Sequence, residues 1–422
     1  MNRLLILGGS VAQLSAIRAA RKSGCHVIVA DRNPAAPGAA EADEFVRAST
    51  FDVSEIVAAA EATRPDGVLV VATDQPVLIA SRACAEIGLP YPVDPEVALI
   101  ATNKGRMKER LAASGIPTPV FSLIGPTGSE LPGHRRLAAL SPPIVVKPVD
   151  NQGQRGVVRC ESYSDVPPAV ERARTFSREE TVLVEEFYPS NEVTVSGWVT
   201  GGTPQILTVT DRVTVAHGTS LGVCAAHRYP STYARGHAEE IAALTQAVST
   251  AIGITRGPIY FQMLCGDQGV KVNEVACRIG GAFEDQSLPL VTGVNLLERA
   301  IAESLGGEPA ALPDDGSGHV PTTGAFSVPL LYCEPGSIAQ LSDPEPVRRI
   351  GGIHAFEWLQ PIGREIHQMH DSSQRAGYAV VCGAATAEVN TSLRRLFAQL
   401  SVTATDGREM LMDTLALCLH PE

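Results

Sequence analysis

Over residues 1–90 the hydrophobic pattern keeps switching period, and this narrows the fold more than any other feature of the chain. Residues 4–7 form an apolar run, 11–23 carry helical spacing, and 26–30 are apolar again up to Asp31. A helix over 53–62, a strand over 67–72 and a helix over 76–87 continue the alternation. Strands alternating with helices predict a parallel, doubly wound sheet, and so an α/β fold class. The turn Gly8-Gly9-Ser10 stands where a dinucleotide fold places its glycine fingerprint. Counted from Gly8, the second and third glycine positions are Ser10 and Gln13. The turn therefore predicts a Rossmann-like start and argues against nicotinamide binding.

The strongest chemical signal lies at residues 257–281. Two apolar runs flank Gly266-Asp267-Gln268-Gly269, which reads as a β-hairpin. Side chains alternate faces along a strand, so Gln262 shares a surface with Leu264, and Glu274 with Val272. An amide oxygen and a carboxylate on a buried sheet are costly without a ligand. Oxygen donors suit a hard cation such as Mg²⁺, with Mn²⁺ as the alternative, bridging to phosphate. Gln262 and Glu274 are therefore the expected metal ligands. Arg278 and Gly280-Gly281 follow closely, offering a cation and close backbone approach to a substrate. The plain alternative is an exposed cross-strand pair.

A helix over 104–114 follows the first unit, and residues 125–143 read as an irregular connection containing Pro132 and Gly133. A strand over 143–148 carries Lys147 and opens a polar loop through Val157. Gly153 and Gly156 let backbone N–H groups approach phosphate, while Lys147 and Arg155 add positive charge. No Gly-Lys-Ser/Thr follows, so this is not the phosphate loop of that type. Strands are expected over 181–187 and 192–199 and a helix over 238–252. After a Gly/Pro/Asp-rich break at 307–322, residues 324–422 read as an appended unit with a helix near 387–399.

Composition excludes several classes. At 422 residues the chain is long enough for several cores, and 44% hydrophobic with 19% charged residues is a globular balance. A net charge of −12 argues against nucleic acid as a partner. No apolar run is long enough to span a bilayer. Nine cysteines without CxxC spacing fit reduced thiols in a cytoplasmic protein better than disulfides or zinc.

Several of these features recur in one order: Lys104 at a helix start, Lys147 with its glycine loop, Glu185-Glu186-Phe187 ending a strand, Glu192, then the hairpin. That order resembles the ATP-grasp superfamily over roughly residues 1–310. The resemblance implies a Rossmann-like domain over 1–95, an ATP-grasp fold over 96–310 with a lid over about 118–187, and a small C-terminal α+β module over 318–422. By the same resemblance Lys104 and Lys147 contact ATP phosphates, and residues 150–156, including Gly153, Gln154, Arg155 and Gly156, close over them. Glu185, Glu186 and Phe187 read adenine, and Glu192 holds the ribose. Many relatives carry Glu where this chain has Gln262. Carbamoyl-phosphate synthetases are similar in using Gln there, but place Asn where this chain has Ala276.

Asn-Glu-Val-Ala-Cys-Arg-Ile-Gly-Gly and the segment His227-Arg228-Tyr229-Pro230-Ser231 are most similar to L-amino-acid ligases and other carboxylate–amine ligases. Gly324-Ala325-Phe326 and Cys333-Glu334-Pro335-Gly336 resemble their terminal module. The resemblance implies an ATP- and Mg²⁺-dependent enzyme joining a small carboxylic acid to an amine through an acyl phosphate, as a homodimer. Arg278 would neutralise the acid and His227 would face the transferred phosphate; a surface-loop histidine is the plain reading of His227. Cys224 stands where many of these ligases have an acidic residue. The alternatives are a bicarbonate-using enzyme like carbamoyl-phosphate synthetase or biotin carboxylase, or a non-catalytic ATP-binding module.

Overall fold

The computed structural model describes residues 1–131, 137–217, 220–313 and 316–421. Pro132 and Gly133 of the expected irregular connection lie outside the described residues, as do two positions of the 307–322 break.

The N-terminal unit is a four-stranded parallel sheet in the order Glu44–Arg47, His26–Asp31, Arg3–Leu7, Gly67–Leu69. Its central strand is buried on both faces. Leu5 and Leu7 join one core cluster and Leu4 and Ile6 another, as expected where helices cover a parallel sheet on each side. Ser10 caps the Val11–Lys22 helix, and Gln13 reaches back to the Ser10 N–H and on to the Val71 carbonyl. Asp31 accepts a hydrogen bond from the Gly9 N–H at 2.8 Å. Side chains of the chain itself thus occupy the turn where a dinucleotide fold would present glycines.

A second sheet carries most of the molecule. It has eight antiparallel strands, running from the hairpin Gly269–Ala276/Arg256–Gly266 through Asn191–Thr200, Thr203–His217 and Ser220–Tyr229 to Ala325–Leu331, Gly377–Gly383 and Ile353–Trp358. The C-terminal segment therefore does not stand apart. Ser220–Tyr229 pairs directly with Ala325–Leu331, His227 opposite Val328. Every residue of Ala325–Leu331 is buried, which suits a strand with neighbours on both edges. A smaller three-stranded sheet, Glu365–Ile366, Gly336–Leu341 and Val402–Ala404, closes the C-terminal end.

The fourth sheet orders Phe121–Ile124, Val182–Glu186, Ile144–Pro148 and Val158–Cys160, all antiparallel. The helix Val166–Thr175 packs on it through Val166, Ala169, Val170 and Ala173, in a core cluster of its own. This sheet and the eight-stranded one face each other across a cleft. The cavity between them is lined by Val145, Lys147 and Glu185 from one and by Glu192, Arg212 and Asn273 from the other.

Candidate active site

The hairpin register sets Gln262 directly opposite Glu274. Gln262 is buried, and its amide lies between two carboxylates. Turned with its NH₂ toward them, it donates to Glu192 Oε1 at 2.8 Å and to Glu274 Oε2 at 3.3 Å. With that face turned round, the amide oxygen joins the two carboxylates as a third oxygen donor. This donor set fits Mg²⁺, which takes few protein carboxylates and completes its shell with water and phosphate. Among the described residues no group of three or more His, Cys, Asp or Glu converges as a metal cage. A site completed by substrate oxygens is thus the arrangement the residues favour.

Cations surround this floor, and Lys104, Lys147, Lys108 and Arg212 each have an acid. Lys104 is the first residue of the Lys104–Ala113 helix, capped by Asn103. Its ammonium lies 2.6 Å from Glu274 Oε1 and donates to the Asn151 carbonyl of the glycine loop. Lys147, in the strand Ile144–Pro148, pairs with Glu185 and donates to Asn273 Oδ1 at 3.0 Å. Glu185 also lies 2.9 Å from Lys108, whose side chain is fully buried. Burial works against the Glu185 charge, but Lys108 and Lys147 hold its carboxyl down to about 2. Burial pulls Lys108 the other way for a lysine, to about 8, against the attraction of Glu185. Arg212 is buried and pairs with Glu192 at 2.5 Å.

Two cavities meet over these residues. One, of about 300 Å³, is lined by Val145, Lys147, Glu185, Glu186, Phe187 and Glu192, among others. The other, of about 580 Å³, extends toward the N-terminal unit and is lined by Thr73, Asp74, Tyr260, Glu274, Arg278 and Arg375, among others. A narrow gap lined by Lys104, Lys147, Arg155, Asn273 and Glu274 shares residues with both and lies between them. The glycine loop closes over the gap. The Gly153 carbonyl accepts from the Ser372 N–H at 3.0 Å, and Gln152 Oε1 accepts from the Asp74 N–H. Gly153 has φ +71° and a Cβ there would sit 2.5 Å from Ser372 Oγ, so only glycine allows this contact. The loop thus bridges the N-terminal unit and the C-terminal segment.

In the larger cavity Arg278 donates from Nε to Asp74 Oδ1 at 2.6 Å, with Nη2 equally close, and lies 4.8 Å over the Tyr260 ring. Although burial disfavours its charge, Asp74 keeps the guanidinium above its ordinary value. Gly280 lies deeper, while Gly281 lines the cavity. A Cβ on Gly280 would meet the Glu284 carboxylate at 2.3 Å, and one on Gly281 the Ala72 carbonyl at 2.7 Å. These glycines serve close packing of the chain on itself.

His227 is not a surface-loop residue: it lies in the Ser220–Tyr229 strand, 3% exposed, opposite Arg212. Its Nδ1 is 3.2 Å from Thr210 Oγ1, and its Nε2 has no partner although it lines the cavity. Burial, with Arg212 and Arg375 nearby, pushes it down to about 3, so it is neutral at ordinary pH. The rest of that segment serves the fold. Buried Asp211 accepts from Arg228, Ser231 and Thr232 and from the Tyr233 N–H.

Every residue expected at the site therefore lines the cleft except Gly280 and Gly156. Gly156, at φ +76°, is a turn of the loop packed on Phe176, where a Cβ would meet the ring at 3.0 Å. Phe187 lines the smaller cavity with Arg159 stacked 4.3 Å over its ring, and Glu186 accepts from the Ser141 N–H. Five contributors were not singled out from sequence: Asp74, Lys108, Arg212, Asn273 and Arg375. Arg212 had a weak signal, since Asp211-Arg212 is the one adjacent pair of charged residues in the Thr203–His217 strand. Asp74 and Arg375 had none, because they lie far along the chain from the residues they meet.

Residues 140–285 match the ATP-grasp domain, a stretch that includes the glycine loop, the Val182–Glu186 strand and the hairpin. Residues 329–405 match the L-amino acid ligase C-terminal domain 2, and the chain thus joins an ATP-grasp domain to a C-terminal domain of that kind. Over 111 residues the chain is 35% identical to a D-alanine–D-alanine ligase of Gloeobacter violaceus, covering 26% of this chain and 36% of that one. Over 256 residues it is 26% identical to a carbamoyl phosphate synthase large chain of a Mycobacterium species, covering 59% of this chain and 22% of that one. The chain spans well under half the length of the curated relatives it matches first, from 17% to 39%.

The fold matches more fully. An L-amino acid ligase from Bacillus licheniformis superposes with a TM-score of 0.78 at 18% identity, covering 96% of this chain and 99% of that one. The biotin carboxylase domain of a Hydrogenobacter thermophilus 2-oxoglutarate carboxylase superposes at 0.76 and 15% identity, covering 98% and 92%. Among the described residues no helix is long and apolar enough to cross a membrane.

Proposed function

We propose that this chain is an ATP-dependent ligase that joins a small carboxylic acid to an amine through an acyl phosphate, releasing ADP and phosphate. The observation that carries this reading is the meeting of two cavities at Glu274 and the glycine loop, with Arg278 on the far side. ATP would lie in the smaller cavity with its base against Glu185–Phe187 and its terminal phosphate in the gap. The acid would lie in the larger cavity, its carboxylate forked by Arg278, which Asp74 holds in place. A guanidinium suits this role because it can grip two oxygens at once.

A carboxylate oxygen then attacks the γ-phosphorus as the bond to ADP breaks, and an amine nitrogen attacks the acyl carbon as phosphate departs. Both first reactants are anionic, so Lys104, Lys147 and Arg278 must offset their repulsion. Each lysine would exchange its carboxylate partner for phosphate. Lys108 then stays on Glu185, so that the buried carboxylate is never left without a cation. Gln262 and Glu274 would hold Mg²⁺, which supplies further charge neutralisation on the phosphates when bound. Neutral His227, with Nε2 free, would face the transferred phosphate. The loop over 150–156 excludes water from an acyl phosphate that would otherwise hydrolyse.

In this reading the domains run over 1–95, 96–310 and 318–422, and the protein acts as a cytoplasmic homodimer on small molecules. Product analysis with ATP, Mg²⁺ and pools of acids and amines tests it. ADP and phosphate that appear only with an acid present are expected. AMP and pyrophosphate, or turnover that needs only bicarbonate, would replace it with another reaction class.

A further inference from the structure

The larger cavity carries a positive charge for which the chemistry above has no use. Arg155, Arg212, Arg278 and Arg375 line it, but the lining carboxylates are only Asp74 and Glu274. Both are engaged, Asp74 by Arg278 and Glu274 by Lys104. Arg212 has Glu192 behind it, and Arg155 has no carboxylate but donates to the Gln152 carbonyl of its own loop. Arg375 differs. It comes from the C-terminal segment just before the Gly377–Gly383 strand, and its Nη1 donates to the Gly281 carbonyl at 3.0 Å. Its other partner is the Tyr332 hydroxyl, itself bonded to the Cys224 carbonyl. Among the described residues no carboxylate pairs with it, and its Nε, shut off from solvent, has no hydrogen-bond partner.

A guanidinium whose hydrogen bonds go to neutral groups, with the buried Glu284 carboxylate acting on it only at a distance, leaves part of its lost hydration uncompensated. Its other neighbours cannot correct this. Burial raises the Cys224 thiol, keeping it protonated, and His227 is neutral. The wall of Cys224, His227 and Arg375 thus offers a place for an anion and none for an ammonium.

Resting on the ligase reading for the position of the reacting carboxylate, we infer that the acid substrate carries a second anionic group, a carboxylate or phosphate, that binds Arg375 while the first binds Arg278. The substrate class is a dianionic acid with no ammonium on the Arg375 side. Arg375 lies three residues beyond Ser372, on which the glycine loop closes. A substrate seated on Arg375 would therefore order the same turn that receives the loop.

The test titrates the full chain, saturated with Mg²⁺ and a non-hydrolysable ATP analogue, with succinate, glutarate and 3-phosphonopropionate. Butyrate, pentanoate and β-alanine serve as controls of similar length. The dianions are expected to bind roughly ten- to a hundredfold more tightly than the monoacids. Arg375→Gln should remove that preference and Arg375→Lys should keep part of it, with affinity for the ATP analogue unchanged in both. The ranking of glutarate against 3-phosphonopropionate shows which anion the wall prefers. Equal binding of dianions and monoacids by the wild-type chain, tighter binding of β-alanine, or no binding of any probe overturns the inference. So does a loss of ATP-analogue affinity in Arg375→Gln, which would place the arginine on the nucleotide. The ligase reading fails separately: a dianion that binds through Arg375 but never elicits ADP release with any amine would leave the anion site standing and remove the reaction.

Discussion

The two ends of the cleft handle charge in opposite ways. At the end lined by Glu185 and Glu192 the lysines and Arg212 have carboxylates: Lys104 has Glu274, Lys147 and Lys108 share Glu185, and Arg212 has Glu192, while Arg155 donates to a carbonyl of its own loop. At the far end Arg278 has Asp74, but Arg375 bonds to a carbonyl and a hydroxyl, with the Glu284 carboxylate acting only at a distance. The first end is close to balanced, so in the ligase reading an incoming polyphosphate would trade places with carboxylates, and a metal ion would help that exchange. The second end is unbalanced, so a ligand of matching charge completes it. In the proposed reading this difference would separate a site for a reagent that arrives with its own cation from one for a bare anion.

The largest effect should come from breaking the balanced end. Lys147→Ala should lower turnover on the order of a thousandfold, the scale of losing one strong transition-state donor, and should weaken ATP binding in calorimetry. Near-normal turnover would mean that Lys147 only supports Glu185.

Glu185→Gln attacks the same end through stability. It leaves Lys108 and Lys147 without their shared anion and should cost about 3 kcal/mol in denaturant unfolding at neutral pH. The pH dependence carries a sign. The Glu185 carboxyl lies at about 2 in the folded chain against an ordinary 4.5, so the unfolded state binds more protons between those values. Its stabilisation is complete above pH 4.5 and lost as the pH falls toward 2. Wild-type protein should lose stability across that window, and Glu185→Gln should show a shallower slope there. Parallel slopes would mean that the two ammoniums do not act on this carboxyl.

Arg278→Lys sharpens the contrast at the far end. A lysine keeps the charge but cannot fork onto two oxygens while holding Asp74, so amide formation should fall roughly a hundredfold with ATP binding intact. A variant that also loses ATP affinity would show that the two ends are not separable.

The smallest effect is expected from Gln262→Glu. A third carboxylate beside Glu192 and Glu274 should tighten Mg²⁺ binding severalfold while lowering the melting temperature of the metal-free chain, because like charges crowd together. Magnesium titration followed by thermal unfolding reads both. Higher stability without metal would contradict the placement of Gln262 between two anions.

Local pattern carried much of the architecture. The Val11–Lys22, Val53–Thr63, Gln75–Ile87 and Ala238–Ile252 helices were legible from apolar spacing, because each buries one stripe against a sheet. The hairpin was legible because its turn residues and its alternation agree. The strands Thr203–His217 and Ser220–Tyr229 were not, since buried polar residues such as Thr210, Asp211, Arg212 and His227 break the alternation. These exceptions face the cleft or tie down the segment after it. The strand pattern was interrupted because those positions do something other than pack.

By itself the sequence determined the parallel N-terminal sheet, the hairpin carrying Gln262 and Glu274, and the order of lysines, glycine loop and acids along the chain, while the bulge that sets Gln262 opposite Glu274 came with the fold. Periodicity, turn chemistry and short spacing act over a few residues, and those features need no more. Only the tertiary structure decided that Asp74 holds Arg278, that Arg212 faces Glu192, that Ser372 receives the glycine loop and that Arg375 enters the cavity unpaired. It also decided that Ala325–Leu331 extends the central sheet. Such pairings join residues from 20 to more than 200 positions apart. Which partner a strand edge or a buried charge finds is set by the packing of whole sheets and by the cost of leaving either unmatched, and local pattern does not record it.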